Sequence, residues 1–196
     1  MQKTLIICAH YENQGYLNDI YQQISKTLVS SGHALETITL YKESFDPIRS
    51  EYEDKMYKMG IEAPSDVQKY SNLIMHSDQI IILFPLWWNG YPAILKGWID
   101  RIFSPNRLNN PTRITENIKT QVKLIAFYET PWIMEPIKET KEALEITLNQ
   151  GVWGRMGYHT MPIIWIEDQR ELSKEKVEDR LNRIIHKVQL DSQEDQ

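Results

Sequence analysis

The chain has 196 residues, 41% of them hydrophobic and 25% charged, which suffices for one well-buried domain and is short for two. Its formal charge of −5, with no segment that gathers lysine and arginine, speaks against a nucleic-acid partner. Cys8 is the only cysteine, so an intrachain disulfide and a multi-cysteine metal site are both excluded.

In chain order, the first apolar run is Thr4 to Ala9, read as a strand. It is too short for a signal-peptide core or a membrane span, so a cytoplasmic protein without membrane insertion is expected. Cys8, among Leu5, Ile6, Ile7 and Ala9, is expected to be a buried, inert thiol. The loop A-H-Y-E-N-Q-G-Y-L-N-D follows, with Gly15 its one glycine, and matches neither G-x-G-x-x-G nor G-x-x-x-x-G-K-[ST]. Leu17, Ile20, Tyr21, Ile24 and Leu28 then repeat at helical spacing, and the free N–H groups at that helix start would face an anion favourably. His33 lies at its far end, where a cation is favoured.

Leu35 to Leu40 reads as a second strand, and Phe45 to Pro64 as a long excursion without a clean period. In it, Met56, Tyr57 and Met59 suit either a lid over a ligand or a patch against a partner subunit. Val67, Tyr70, Leu73 and Ile74 mark a helix ending near His76, and Gln79 to Phe84 a third strand. Next comes P-L-W-W-N-G-Y-P-A, where Pro85 removes a backbone donor and Asn89, Gly90 and Pro92 are turn residues. Trp87 and Trp88 cannot both serve one core from an extended segment, because neighbouring side chains point to opposite faces. Either they wall a flat heterocycle, or Trp87 caps the sheet while Trp88 fills a subunit interface. Pro92 is placed at the first position of a helix carrying Ile94, Leu95, Trp98, Ile99 and Ile102, with Lys96 and Asp100 as a surface pair.

Ser104 to Thr120 is a second excursion, Val122 to Phe127 the fourth strand, and F-Y-E-T-P-W a loop whose Tyr128 and Trp132 either close over a ligand or only end the strand. His159 precedes a fifth strand, Thr160 to Ile166, and is read as structural. Val177, Leu181, Ile184, Ile185 and Val188 form the last helical pattern, and residues 191–196 an acidic tail. Alternating strands and helices, with strands apolar throughout, predict an α/β domain over residues 1–190: a five-stranded parallel sheet with helices on both faces. Ligands of such sheets collect beyond the strands' carboxyl ends, where the strand order reverses. No spacing of His, Asp and Glu points to a metal.

The segment P-L-W-W-N-G-Y-P-A-I-L-K-G-W-I-D-R-I-F closely resembles the P-x-W-W-x-x-P-A-x-L-K-G-W-x-D-R-V-F signature of the flavodoxin-like NAD(P)H:quinone oxidoreductases. That group includes the proteins described as modulator of drug activity B and as ancillary subunits of potassium efflux systems. I-I-C-A-H, G-H-A-L-E-T-I-T-L-Y-K-E-S-F-D-P-I and T-E-N-I-K-T-Q-V-K-L-I-A-F-Y-E-T-P-W are similar to further family segments, so the resemblance runs from about residue 3 to 166. It implies a flavodoxin-like fold and a bound flavin, FMN or FAD, its phosphate near His10, Tyr16 and Asn18. The ring would lie against Pro85, Leu86, Trp87 and Trp88, with Tyr128 and Glu129 on the far loop. NAD(P)H would be the electron donor, a quinone or similar electrophile the acceptor, and Tyr128, or a backbone N–H beside it, the group that stabilises charge on reduction. A homodimer is implied, with the helix from Pro92 to Phe103 near the shared surface, and a membrane transporter is a further possible partner.

The departures are as specific as the matches. Gly15 stands where the family offers Ser or Thr, Tyr11 where it has Pro, Phe127 in place of a threonine at the isoalloxazine edge and Glu129 in place of glycine. The missing hydroxyl and a carboxylate facing an anionic reduced ring predict weakened flavin affinity or a shifted potential. The alternative function is a regulatory or partner-binding subunit whose flavin site has drifted.

Overall fold

The computed structural model describes residues 1–11, 15–59, 61–103, 119–129, 138–168, 182–186 and 188. Strand β1 (Lys3–Cys8) pairs in parallel with β2 (Ala34–Thr39) on one side and with β3 (Gln79–Pro85) on the other. Beyond β3 lies β4 (Gln121–Glu129), and beyond β4 lie two short strands, β5 (His159–Thr160) and β6 (Ile164–Asp168). The order is β2-β1-β3-β4-β5, with β6 also on β4, and every pair is parallel. This is the doubly wound order whose reversal falls between β1 and β3.

The predicted fifth strand is therefore broken. Pro162 has no N–H to give the ladder. The break is satisfied from a helix: Ile163 N–H donates to Glu145 Oε2 at 2.9 Å, and Asn149 Nδ2 donates to the Met161 carbonyl at 2.7 Å. Glu145 and Asn149 belong to a π-helical stretch, Glu145–Gly154, which widens the end of helix α5 (Lys138–Leu144).

Successive strand residues face opposite sides of the sheet, and both sides are covered. Leu5, Ile7, Ile80, Ile82, Val122 and Leu124 pack beneath α3 (Ser65–Met75) and α4 (Ala93–Ile102). Ile6, Cys8, Ile81, Leu83 and Ile125 pack under α1 (Tyr16–Ser30) and the helical turn at 182–186. Of the five residues of α1 read at helical spacing, Leu17, Ile20, Ile24 and Leu28 are buried, each worth roughly 1.5–3 kcal/mol relative to exposure, and Tyr21 is half-buried. Ile184 and Val188 are buried in the same layer, whereas Val177, Leu181 and residues 191–196 lie outside the described residues. Burial pushes the Cys8 thiol up to about 11, which leaves it protonated and unreactive at neutral pH.

Three readings need correction. Phe45 to Pro64 holds a helix, α2 (Glu51–Lys58), and its start was legible: in S-E-Y-E, Ser50 N–H donates to Glu53 Oε2 at 2.9 Å and Glu53 N–H to Ser50 Oγ at 3.2 Å, a capping box. Pro92, read as the first helical residue, has φ −54° and ψ 146°, so it is the cap preceding α4. His33 is not a helix-end cation: burial, and then the charge of Lys123, push its pKa below 6.5, and its Nδ1 is hydrogen-bonded to Thr4 Oγ1 at 2.9 Å.

Helix α4 is fastened to this excursion. Arg101 Nε donates to Glu53 Oε1 at 2.9 Å, while its Nη1 reaches Asp66 Oδ2 at 2.8 Å and the Asp46 carbonyl at 2.7 Å. One turn earlier, a Cβ on Gly97 would stand 2.2 Å from the Pro47 carbonyl oxygen, so only glycine admits that chain. The Lys96–Asp100 pair forms as expected, on the exposed face.

Candidate functional site at the carboxyl ends of the strands

Strands β1, β3 and β4 run parallel, so their carboxyl ends lie along one edge of the sheet, with the reversal point between β1 and β3. His10 follows β1. Its ring stacks on Tyr11 at 5.0 Å, and its Nδ1 is buried with no hydrogen-bond partner among the described residues. A buried imidazole nitrogen without a partner is a costly arrangement that a bound group can relieve. Nearby, α1 starts at Gly15, which has no side chain with which to cap it. Tyr16 and Asn18 sit in that first turn, half-buried. Tyr16 packs its ring 5.7 Å from that of Phe127.

Gly15 has φ 98° and ψ 174°, a backbone region reserved for glycine. Read from sequence, Gly15 was a missing serine or threonine; in the fold it is what the turn requires. Gly15→Ser should therefore lower stability by about 1–2 kcal/mol without improving anion binding. Thermal unfolding with and without added FMN checks both halves, and a Ser variant of equal stability would contradict the backbone argument.

After β3 the chain makes a two-residue hairpin. Trp87 N–H donates to Gly90 O at 3.2 Å and Gly90 N–H to Trp87 O at 3.0 Å. Between them Trp88 and Asn89 take φ of 50° and 56°, which Asn tolerates and a bulky Trp does not. Neither indole serves the core: Trp87 is 42% exposed and Trp88 fully exposed. A strained, exposed indole marks a position held for something other than packing. The hairpin is held rigidly. Leu86 N–H donates to Phe127 O at 2.6 Å, and Tyr91 OH donates to Leu148 O at 2.6 Å while accepting from Trp153 Nε1 at 3.1 Å. Trp87 also approaches Tyr11 at 6.3 Å, and Tyr11 meets Tyr41 edge-on at 5.8 Å.

Phe127 and Tyr128 diverge, as neighbours on a strand must. Phe127 is buried in the layer under α1, beside the Tyr16 ring. Tyr128 faces the other way, half-buried, and meets a residue that sequence reading missed: Lys141 of α5 donates to Tyr128 OH at 3.4 Å and lies 5.1 Å from its ring centroid. Glu129 ends β4 with Asp168 as its register partner on β6. Pro131 and Trp132 lie outside the described residues, as do residues 104–118.

The strand ends thus gather His10, Tyr16, Asn18, Pro85, Leu86, Trp87, Trp88 and Tyr128, and leave others away. His159 pairs in register with Gln121 at the opposite end of β4. Met56, in α2, is half-buried, and Met59, just past its end, is largely exposed. Among the described residues, no group of three or more His, Cys, Asp or Glu could hold a metal ion, and no helix is long and apolar enough to cross a membrane. Lys141 carries no periodic or motif signal; only the tyrosine–lysine juxtaposition across β4 and α5 reveals it. Tyr41 and Tyr11 were findable as aromatics at the ends of β2 and β1.

Comparisons with known proteins agree with this architecture. A family model described as flavodoxin-like fold matches residues 2–188. A Haemophilus influenzae protein named as an uncharacterized NAD(P)H oxidoreductase is 37% identical over 101 residues, covering 51% of this chain and 50% of that protein. The chain therefore aligns with about half the length of that relative. The structure is similar to an NAD(P)H:quinone oxidoreductase from Methanothermobacter marburgensis, with TM-score 0.79 and 20% identity over 94% of this chain and 92% of that one. It is also similar to an FMN-dependent NADH-azoreductase from Bacillus anthracis in complex with FMN, with TM-score 0.69 and 15% identity over 96% and 97%. At these identities the two structures establish the fold.

Proposed function

The chain belongs to the family of flavodoxin-like fold, and from that premise we propose that it is a flavin-dependent NAD(P)H oxidoreductase acting on a quinone or similar electrophile. One convergence carries the reading: a buried His10 Nδ1 without a partner among the described residues, the start of α1 at Gly15 without a side-chain cap, and a strained aromatic hairpin lie together where the strand order reverses. The names of the relatives, oxidoreductases of nicotinamide nucleotides and one FMN protein, support it.

The residues present suit FMN or FAD. His10, Tyr16 and Asn18, with the first N–H groups of α1, would hold the phosphate, because the N–H groups of a helix's first turn and the helix dipole favour an anion there. Pro85, Leu86, Trp87 and Trp88 would hold the ring from the β3 side, and Tyr128 and Glu129 from the β4 side. A bound flavin would supply the hydride-transfer chemistry between NAD(P)H and the acceptor. The chain's own residues orient and enclose: the reciprocal hydrogen bonds of the 87–90 turn fix the indoles, and Tyr128 presents a phenol where negative charge develops. A homodimer working in the cytoplasm belongs to the same proposal. The fully exposed Trp88 supports a covering partner, since a free indole in water forgoes a large apolar burial.

Purified protein should bind FMN or FAD, show flavin absorbance that bleaches with NADPH under anaerobic conditions, and regain it on addition of a quinone. A colourless protein that takes up neither added flavin overturns the proposal and leaves the regulatory, partner-binding reading.

A further inference from the structure

Lys141 forms no ion pair among the described residues. The residue is half-buried, and the partners of its ammonium are the Tyr128 phenol oxygen at 3.4 Å, the Tyr128 ring at 5.1 Å and the Trp165 ring at 6.0 Å. We infer that Lys141 joins Tyr128 as a charge-stabilising group of the site, a fixed cation held by Tyr128 so as to favour the ligand form that carries an extra negative charge. The inference rests on the flavin reading and adds a residue to it.

The physical argument is one of incomplete neutralisation. A lysine near a carboxylate has its charge cancelled locally, whereas aromatic faces and a phenol oxygen hold an ammonium in position and leave its field nearly intact. Trp165 lies on β6 and Tyr128 on β4, adjacent strands, so the ammonium of α5 is seated over the sheet's carboxyl edge. Burial of part of the side chain reduces screening by water, which lengthens the reach of that charge.

The chemistry at such an edge is asymmetric in charge. A hydride leaving a nicotinamide takes two electrons and one proton, so the nicotinamide gains one positive charge and the accepting ring system one negative charge. A cation already in place stabilises the second state over the first without reorganising. It acts on the oxidised, neutral form little. It would also oppose the repulsion that the sequence predicts from Glu129.

The test compares wild type with Lys141→Met, which keeps the stem and removes the charge, and Lys141→Arg, which keeps the charge. Dissociation constants for oxidised and for chemically reduced FMN are measured anaerobically, or for FAD if FMN does not bind, together with the midpoint potential by spectroelectrochemistry. For Lys141→Met, oxidised flavin should bind within about twofold of wild type and reduced flavin about tenfold more weakly. That ratio lowers the midpoint potential by about 30 mV for a two-electron couple. Lys141→Arg should restore both. If Lys141→Met weakens the two forms equally, Lys141 only anchors α5, and if neither form changes it has no part in the site; either result overturns the inference while the flavin reading stands. A wild-type protein that binds neither flavin removes both.

Discussion

Replacing Arg101 with methionine is expected to lower the unfolding free energy by about 3–5 kcal/mol, because the change strands a buried carboxylate. The Arg101 and Glu53 side chains are 7% and 5% exposed, and their 2.9 Å contact is what makes Glu53 tolerable beneath α4. The same guanidinium caps the Asp46 carbonyl, reaches Asp66 and lies 4.9 Å from the Phe45 ring centroid, so its loss releases a segment and not one bond. Urea denaturation should show a lower midpoint at nearly unchanged slope. The double variant Arg101→Met with Glu53→Gln should lose less than Arg101→Met alone, since no uncompensated charge is then left inside. A loss below about 1 kcal/mol for the single variant would mean that Glu53 takes up a proton or reaches water, and would contradict this account.

Gly97→Leu should be the next most damaging change, at about 2–3 kcal/mol. Two effects oppose each other. Leucine is the better helix former, by nearly 1 kcal/mol in an unobstructed helix. Against that, its Cβ alone would stand 2.2 Å from the Pro47 carbonyl oxygen and 2.5 Å from the Pro47 Cβ, and backbone is the obstacle. Sterics win, and the cost is shared with Arg101 because Pro47 follows Asp46, which Arg101 caps. Unfolding midpoints of Gly97→Leu, Arg101→Met and the pair should show a combined loss smaller than the sum. Strict additivity would show that the two residues hold the excursion independently.

These two predictions divide the long motif at residues 85–103. Its first part, Pro85 to Gly90, forms the strand end and strained hairpin at the candidate site. Its second part, with Gly97, Trp98 and Arg101, packs the core and clamps the excursion against α4. A sequence pattern does not distinguish the two jobs, because both require fixed residues at fixed spacing. The structure separates them by depth: Trp98 is fully buried and Trp88 fully exposed.

The sequence by itself determined the alternation of elements and the parallel sheet. The inner strands β1 and β3 are apolar on both faces and helices α1, α3 and α4 on one, and those periods survive in any tertiary context that buries them. It also located the loops at the strand ends, because ligands of a doubly wound sheet gather there whatever the side chains. Tertiary structure alone decided what depends on residues far apart in the chain. The break at Pro162 is held by Glu145 and Asn149, the tightness of Gly97 is felt only against Pro47, and Lys141 acquires a role only when α5 is laid beside Tyr128. Gly15 shows the same division at a single residue: the letters suggested a lost hydroxyl, and a φ of 98° shows a turn that no residue with a Cβ makes without strain.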